Sequence, residues 1–150
     1  AVKPHAAPLL PALHYLLGEP YKLTYADPSG VLFVGESASG VCVILEMAPY
    51  STSIEWHESF KACFERGFVN VDLPAPLVRQ EAGKVTVMED LGDGSPRYWQ
   101  PVMPNRSAMR QQAINYLSAV RGEKPAPCAA RDALEDLKIA RQYIKLRYGQ

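Results

Sequence analysis

The chain has 150 residues, of which 47% are hydrophobic, and its 16 basic and 16 acidic residues give a formal net charge of zero. Such a chain is predicted to fold as a single domain, residues 1–150, that buries about two-thirds of its unfolded surface. Balanced charge gives no electrostatic attraction to nucleic acid or to an anionic membrane, and no apolar run approaches the roughly 20 residues that span a bilayer. Neither nucleic acid nor a membrane is therefore expected as a partner.

The chain has three cysteines, Cys42, Cys63 and Cys128, and no two of them have C-x-x-C spacing. An odd number without that spacing predicts neither a disulfide framework nor a zinc knuckle, and it favours a location in the reducing cytoplasm. The first residues include neither an initiator Met nor the charged and apolar regions of a signal peptide. We therefore interpret the chain as a piece of a longer protein.

Apolar residues recur at helical spacing between Pro8 and Leu17, and this pattern predicts the first helix. They are Leu9, Leu10, Leu13, Leu16 and Leu17. Gly18 is a residue that can end the helix, and Pro20 prevents the helix from continuing.

Strands are predicted next. Residues 21–25 (Tyr-Lys-Leu-Thr-Tyr) alternate as in a strand with one buried face, and Asp27-Pro-Ser-Gly30 has the residues of a tight turn. The runs from Val31 to Val34 and from Val41 to Leu45 are instead apolar at nearly every position. That pattern is typical of strands buried on both faces. Helices would cover one face of these strands, and a second subunit could cover the other.

The most regular alternation lies between Ile54 and Leu73, in the middle of the chain. The apolar face of its first strand is predicted to carry Ile54, Trp56, Phe60, Ala62 and Phe64. Glu65-Arg66-Gly67 is predicted to be a three-residue hairpin loop in which Gly67 supplies a positive φ. A sheet with one apolar face is not stable by itself in water, so helices from the two chain ends should cover it.

The remaining residues are predicted to form strands and then two helices. A hairpin is expected from Leu77 to Gln80 and from Lys84 to Met88, and Arg97 to Gln100 is a candidate edge strand. The apolar stripe of the first helix is Met109, Ala113, Tyr116, Leu117 and Val120, and that of the second is Leu134, Leu137, Ala140 and Ile144. The predicted fold class is α+β. It is an open, mostly antiparallel sheet of about seven or eight strands, with helices from both chain ends packed on one face.

Three side chains are candidates for chemistry. Arg97 and Trp99 follow a glycine-rich loop, and a guanidinium beside an aromatic face suits a polyol or sugar acid as substrate. The alternative is an edge strand that buries Trp99 in the core. His5 precedes the first helix turn, where a bound anion or a general acid or base would be useful. The alternative is an ordinary surface histidine near the terminus.

No cofactor or metal site is predicted within the chain. Gly92-Asp-Gly94 lacks a third glycine and lies between predicted strands, whereas a dinucleotide fingerprint lies at a strand-to-helix turn. His5, His14 and His57 lack the spacing of metal ligands, both to one another and to the cysteines.

Several segments occur in an order that is known from one protein family. They are Leu16-Leu-Gly-Glu-Pro20 at the end of the first helix, Gly67-Phe-Val-Asn-Val71 in the strands, the run from Ala113 to Pro125, and Arg131-Asp-Ala-Leu-Glu-Asp-Leu-Lys-Ile-Ala140. In this order they resemble the C-terminal domain of the glucose–fructose oxidoreductase / inositol dehydrogenase / MocA (Gfo/Idh/MocA) family. The resemblance covers nearly the whole chain.

The resemblance implies a two-domain enzyme. An N-terminal Rossmann domain would bind NAD or NADP, and the C-terminal domain would complete the substrate site and form a homo-oligomer through its sheet face. The parent protein would transfer hydride between nicotinamide and a hydroxyl-bearing carbon of a small molecule such as a sugar or polyol. The present chain would be the second domain only, without a cofactor and without catalytic activity of its own.

The resemblance also implies an acid/base pair, Asp and then His, shortly before the first helix. This chain has Pro4 and Pro8 at those positions, so His5 is the candidate for a helper role. The alternative function is a stand-alone α+β module that binds a ligand or acts as a scaffold, without catalysis.

Overall fold

The computed structural model describes residues 9–47, 57–79 and 81–149. In chain order the elements are α1 (Leu9–Leu17), β1 (Tyr21–Ala26), β2 (Leu32–Ser37), β3 (Cys42–Glu46), β4 (Glu58–Phe64), β5 (Gly67–Leu73), β6 (Lys84–Glu89), β7 (Arg97–Trp99), α2 (Ala108–Val120) and α3 (Ala130–Tyr148). The chain divides into two compact units. Unit 1 comprises Ala1–Ser51 with Pro127–Gln150, and unit 2 comprises Thr52–Ala126.

The described strands form two open antiparallel sheets. Unit 1 contains a three-stranded sheet in the order β1-β2-β3, and unit 2 contains a four-stranded sheet in the order β4-β5-β6-β7. The α+β class, with antiparallel strands between helices at the chain ends, is therefore confirmed. One sheet of seven or eight strands is not confirmed, because the seven described strands divide between the two sheets.

Glycines in unit 1 end α1 and close the first turn, as their positions in the sequence predict. Gly18 has a φ of 66° and donates its N–H to the His14 carbonyl at 3.0 Å, which ends the helix. Gly30 has a φ of 81° and donates its N–H to the Asp27 carbonyl at 2.9 Å. Local backbone chemistry therefore sets both ends of β1.

Within this chain, β2 and β3 are buried on one face only. Phe33, Val43 and Leu45 are buried, whereas Ile44 is 65% exposed. Phe33 and Leu45 belong to a cluster that α1 and α3 help to form, and the described part of unit 1 leaves the opposite face of the sheet open. That a second subunit covers this open face remains a prediction.

The core of unit 1 joins the sheet to both helices. Its buried residues are Leu10 from α1, Tyr21, Leu23, Ala26, Phe33 and Leu45 from the sheet, and Ile139 and Tyr143 from α3. Phe33 is the most deeply buried of them, at 1% exposure. A phenylalanine buried this completely contributes several kcal/mol to stability, since replacing one by Ala costs about 3–5 kcal/mol.

Helix α3 packs against the core of unit 1 with a side that is adjacent to the predicted apolar stripe. Its buried residues are Asp136, Ile139 and Tyr143, whereas Leu137 of the predicted stripe is 67% exposed. Ala140 of the predicted stripe packs against the core as expected, whereas Leu134 and Ile144 are about half exposed, so the prediction is confirmed only in part. Two hydrogen bonds hold the packed side of the helix against the sheet. Gln142 accepts a hydrogen bond from the backbone N–H of β1 at 3.0 Å, and the Tyr143 hydroxyl donates to a carbonyl of the turn after β1 at 3.2 Å.

The hairpin of β4 and β5 forms as predicted, but with a shorter loop. Phe64 pairs with Gly67 across the two strands, so the loop consists of residues 65 and 66. A Cβ on Gly67 would overlap the backbone carbonyl of Met88 on β6. The φ of Gly67 is 156°, so the positive φ is as predicted, and a neighbouring strand also approaches this glycine closely. The three-residue loop was wrong because Gly67 already pairs with Phe64 as part of β5. Residues 54–56, at the start of the predicted strand, lie outside the described residues.

Strand β6 pairs with β5, and not with residues 77–80 as predicted. The described residues 77–79 form no strand, and the Val78 N–H donates to the Ala75 carbonyl in a turn at 2.9 Å. Pro74 and Pro76 lie just before, and prolines remove the N–H groups that a strand ladder needs. Gln80 lies outside the described residues.

Helix α2 forms where it was predicted, between Ser107 at its N-terminal cap and Arg121 at its C-terminal cap. None of its residues is buried, and Met109 and Leu117 of the predicted stripe are about half exposed. In fact no described residue of unit 2 is fully buried. The predicted packing of helices on a sheet is thus seen for α1 and α3 in unit 1, and it is not seen for α2 among the described residues.

Candidate functional site

Strand β7 places the two candidate substrate-contacting residues on one face of the four-stranded sheet. Arg97 and Trp99 are separated by one residue, so their side chains project from the same face. Across the strands, Arg97 lies opposite Glu89 and Trp99 lies opposite Val87. Trp99 is 47% exposed, so much of its indole ring is accessible to a ligand.

The glycine-rich loop before β7 folds back onto Arg97. The Asp93 carboxylate accepts a hydrogen bond from the Arg97 guanidinium at 3.2 Å and one from the Ser95 N–H at 2.9 Å. Both members of the ion pair are well exposed, and such a pair is worth about 1 kcal/mol or less. The guanidinium is therefore oriented without being strongly held, and it can exchange Asp93 for a polar group of a ligand.

The opposite face of the same sheet carries an aromatic cluster that periodicity does not single out. Tyr98 packs against Phe68 with ring centroids 6.3 Å apart at 69°, and the Lys61 ammonium lies 4.4 Å from the centroid of the Phe68 ring. Such edge-on aromatic and cation–π contacts are each worth about 0.5–1.5 kcal/mol. The cross-strand register places Phe68 and Tyr98 on either side of Met88, and that register is the information the sequence lacked.

Polar side chains continue this opposite face along the strands. Asn70 and Asp72 are both half-buried on β5, and the Asn70 amide donates to the Asp72 carboxylate at 3.1 Å. On the next strands, the Gln100 amide donates to the Thr86 hydroxyl at 3.2 Å. The sheet of unit 2 therefore has a valine-rich face with Arg97 and Trp99, and a polar face without them.

The candidate acid/base residue, His5, lies outside the described residues. Of the other histidines, His14 lies on α1 and comes close to Asp136 of α3, with 4.0 Å between Nδ1 and the nearest carboxylate oxygen. The fold of unit 1 thus brings a histidine and a carboxylate close together, although neither was a predicted site residue.

Asp136 and Tyr21 form a buried polar cluster with His14 where α1, α3 and β1 meet. The Tyr21 hydroxyl and one Asp136 oxygen are buried, and neither makes a hydrogen bond within the described part of the chain. Burial raises the pKa of the Asp136 carboxyl; the charge of His14 lowers it and that of Asp132 raises it further. Burial, and then the charge of Asp136, raise the pKa of the Tyr21 phenol. The signal for this cluster in the sequence was Asp136, an acidic residue directly before Leu137 of the predicted apolar stripe.

The end of α3 holds the turn between β1 and β2. The Arg147 guanidinium donates to the Ser29 carbonyl and to the Tyr143 hydroxyl, each at 3.1 Å. The Tyr143 hydroxyl in turn donates to the Gly30 carbonyl. These residues have a structural role, because they satisfy turn carbonyls with side chains from a helix more than 100 residues later in the sequence.

Two shallow depressions lie on unit 2. One, of about 380 Å³, is next to the start of α2 and is lined by Asn105, Arg106, Arg110, Gln111 and Ile114. The other, of about 240 Å³, lies at the β4–β5 turn and is lined by residues 64, 66–69 and 87–89. Neither is lined by Arg97 or Trp99, so the predicted contact residues lie on an open face of the sheet.

The described residues do not fit a dinucleotide. All described strand pairs are antiparallel, whereas a dinucleotide is held at the strand-to-helix turn of a parallel β–α–β unit. No group of three or more His, Cys, Asp or Glu side chains suited to a metal ion occurs in residues 9–47, 57–79 and 81–149. In that same part of the chain, no helix has both the length and the apolar character needed to cross a bilayer.

The fold is shared with solved oxidoreductases. A protein from Bacteroides fragilis NCTC 9343, assigned as an oxidoreductase, matches with a TM-score of 0.62 and 13% identity, over 95% of this chain and 49% of that chain. The protein yvaA from Bacillus subtilis, also assigned as an oxidoreductase, matches with a TM-score of 0.60 and 9% identity, over 97% and 48% of the two chains. KijD10, a 3-ketoreductase from Actinomadura kijaniata solved with NADP, matches with a TM-score of 0.56 and 13% identity, over 96% and 45%.

No family model matches the chain, and no curated protein matches it in sequence. The chain spans about half the length of the solved chains that it matches. At identities of 9–13% the likeness concerns the fold alone. The resemblance that the sequence predicts is therefore confirmed at the level of the fold, because the chain matches about half of each of these solved oxidoreductases.

Proposed function

We propose that this chain is the substrate-binding and oligomerisation domain of an NAD(P)-dependent oxidoreductase that acts on a sugar, polyol or related hydroxy compound. The observation that carries the proposal is the fold, because nearly the whole chain matches about half of each solved oxidoreductase chain. In this proposal residues 1–150 form one domain, and an N-terminal Rossmann domain of the same protein binds NAD or NADP. The NADP bound in KijD10 supports a nicotinamide cofactor for the parent protein.

The exposure of unit 2 supports the need for a partner domain or subunit. Val69 and Val71 on β5 share a face with Val85 and Val87 on β6, and all four are only half-buried. A sheet with such a face gains stability when another layer covers it. A domain that works as part of a larger enzyme would receive that layer from its neighbour.

Arg97 and Trp99 are proposed to contact the substrate. Hydroxyl groups of a polyol accept hydrogen bonds from a guanidinium, and its C–H faces pack on an indole ring. Both side chains are accessible on one face of β7, and the weak pairing of Arg97 with Asp93 leaves the guanidinium available.

His5 is proposed as a helper in proton transfer in the parent protein, which we place in the cytoplasm on the basis of the cysteine pattern. The described residues offer no dinucleotide cradle, so no step of hydride transfer is assigned to them. By itself the chain is expected to bind no dinucleotide and to catalyse no reaction.

Homo-oligomerisation is proposed to use the open face of the unit 1 sheet. Tyr25, Val34 and Ile44 are direct neighbours across the three strands and form one apolar row. Tyr25 and Ile44 are well exposed, and exposed apolar rows of this kind are typical of interfaces. Ile44→Lys is expected to yield monomers in sedimentation, whereas Leu137→Lys, on an exposed part of α3, should leave the oligomer intact. A wild-type chain that is monomeric at high concentration would contradict this part of the proposal.

Activity is tested on the longer protein that contains these residues. The genomic sequence upstream of residue 1 should encode a domain with a glycine-rich strand-to-helix turn. The purified protein should oxidise a polyol with NAD⁺ or NADP⁺, or reduce the corresponding carbonyl compound with NADH or NADPH. Trp99→Ala should raise the KM for that compound about tenfold, as loss of a substantial aromatic contact does. Tyr98→Ala provides the matched control, because Tyr98 is the residue before Trp99 but its side chain lies on the opposite face of the sheet. This variant should change KM less than about twofold.

Two results would count against this function. An initiation codon close to Ala1 would favour the stand-alone binding module. Equal effects of Trp99→Ala and Tyr98→Ala on KM would show that Trp99 acts through stability and not through contact with the substrate.

A further inference from the structure

The larger depression on unit 2 has an unusual lining. It measures about 380 Å³, and its described lining residues are Asn105, Arg106, Arg110, Gln111 and Ile114. Small-molecule sites are typically concave, of about 300–1,000 Å³, with a few converging polar groups. Here the lining residues are two arginines, two residues with side-chain amides and one aliphatic residue.

Arg106 is oriented by an amide and not by a carboxylate. Its Nη1 donates to the Gln111 side-chain oxygen at 3.2 Å, and the Gln111 amide donates to the Asn115 side chain at 2.9 Å. A guanidinium has five N–H donors, and this contact uses one of them. The other donors of Arg106 therefore keep their capacity for a ligand while the side chain is held in place.

Among the described residues, no ion pair neutralises the two arginines of the depression. Residues 105–121 include Arg106, Arg110 and Arg121 and no Asp or Glu. Arg121 pairs with Glu123 at 3.8 Å. Among the described residues, the other two arginines are in no ion pair. Like charges that share a small concave surface repel each other and attract an anion.

We propose that Arg106 and Arg110 bind the phosphate group of a small organic phosphate in this depression. The planar fork of a guanidinium matches two phosphate oxygens, which gives stronger and more specific binding than a single charge. Ile114 would contact the organic part of the ligand. The zero net charge of the whole chain disfavours a polyanion such as nucleic acid, which needs an extended basic surface. This site is independent of the oxidoreductase proposal.

The test is a titration of the full chain with inorganic phosphate and with n-butyl phosphate at constant ionic strength, followed by NMR. Signals of residues 105–114 should shift in a saturable way, and n-butyl phosphate should bind at least about threefold more tightly, because its alkyl group reaches Ile114. Arg106→Gln and Arg110→Gln should each weaken both affinities about tenfold. Arg121→Gln removes an arginine of the same helix region outside the depression, and it should change them less than about twofold.

Ile114→Ala separates the two sources of phosphate. It should remove the preference for n-butyl phosphate and leave the affinity for inorganic phosphate unchanged. Equal affinities of the wild-type chain for the two probes would show a site for free phosphate and overturn the organic ligand. Equal losses in all three arginine variants, or shifts spread over all arginines, would show non-specific charge screening and overturn the site itself.

Discussion

Asp136 is a carboxylate buried where α3 packs against β1, and Asp136→Asn is expected to stabilise the chain at neutral pH. The residue is 8% exposed, and one carboxylate oxygen makes no hydrogen bond within the described residues. A buried polar atom without a partner costs about 1–3 kcal/mol, of which His14 at 4.0 Å offsets a part. We expect Asn, which is uncharged and adds an N–H donor near the Tyr21 hydroxyl, to raise the free energy of unfolding by about 1 kcal/mol. That gain corresponds to an increase in Tm of about 2–4 °C for a chain of this size.

The pH dependence of this gain has a definite sign. Burial raises the pKa of the Asp136 carboxyl above its value in the unfolded chain, so the folded chain binds the proton more tightly. The stability linked to this group is therefore fully present below the unfolded pKa, and it is lost as pH rises through the folded pKa. The advantage of the Asn variant should be largest at neutral pH and should disappear in acid, where the wild-type carboxyl is protonated.

The measurement is urea unfolding of wild type and variant, followed by circular dichroism at pH 7 and at about pH 3, below the ordinary carboxyl pKa. Asp132→Asn is the control on the same helix. The Asp132 carboxylate accepts the Ala129 N–H at 2.8 Å at the start of α3; Asn can still accept this hydrogen bond but lacks the negative charge that the helix N-terminus favours, so the variant should be less stable by about 0.3–1 kcal/mol at pH 7. An Asp136→Asn variant that is less stable than wild type at pH 7, or whose advantage is the same at both pH values, would refute the reasoning.

Three further predictions concern packing, and urea unfolding measures each of them. Phe33→Ala should lower the free energy of unfolding by about 3–5 kcal/mol, because Phe33 is 1% exposed; Phe64→Ala, at an exposed position, should cost under about 0.5 kcal/mol. Gly67→Ala should cost about 2 kcal/mol or more through overlap with a carbonyl of β6, whereas Gly122→Ala meets only the strain of a positive φ, about 1 kcal/mol. Arg147→Ala should cost about 1 kcal/mol and speed amide hydrogen exchange in the turn after β1, which it contacts. A comparable loss for both glycine variants, or unchanged exchange in the arginine variant, would contradict these contacts.

The elements that the sequence predicted best are those set by neighbouring residues. Gly18 ends α1 and Gly30 closes the first turn because a positive φ is a property of the glycine itself. The β4–β5 hairpin was likewise predictable, since the alternation on both sides of residues 65–66 specifies which residues face each other. In these cases the physical cause lies within a few residues along the chain.

The predictions that failed concern contacts between distant residues. The partner of β6 is β5, and the segment that had been expected to pair with it, which follows Pro74 and Pro76, forms no strand in its described residues. The predicted stripe of α3 was also wrong except for Ala140, because Ile139 and Tyr143 pack instead. Hydrogen bonds to β1 and its turn, more than 100 residues earlier, hold that side of the helix against the sheet. Periodicity locates an apolar stripe, but it contains no information on polar anchors.

The candidate site shows the same division. Alternation along β7 was enough to place Arg97 and Trp99 on one face of a strand. Only the structure shows that Glu89 and Val87 lie opposite them on the next strand. The arginine-lined depression was not predicted from the sequence. Its signal there is that residues 105–121 contain three arginines and no acidic residue. That signal becomes meaningful only when Arg106 and Arg110 are seen to line one concave surface.

By itself, the sequence determined most of the segments that are helices and strands, where most of them end, and that the chain is α+β, because these properties follow from side-chain pattern and backbone chemistry over short distances. Tertiary structure alone decided that the strands form sheets of three and four, which face of α3 packs, and that Asp136 is buried beside Tyr21. These outcomes depend on which surfaces meet. The free energy that favours one packing arrangement over another comes from burial and hydrogen bonds between residues far apart in the chain.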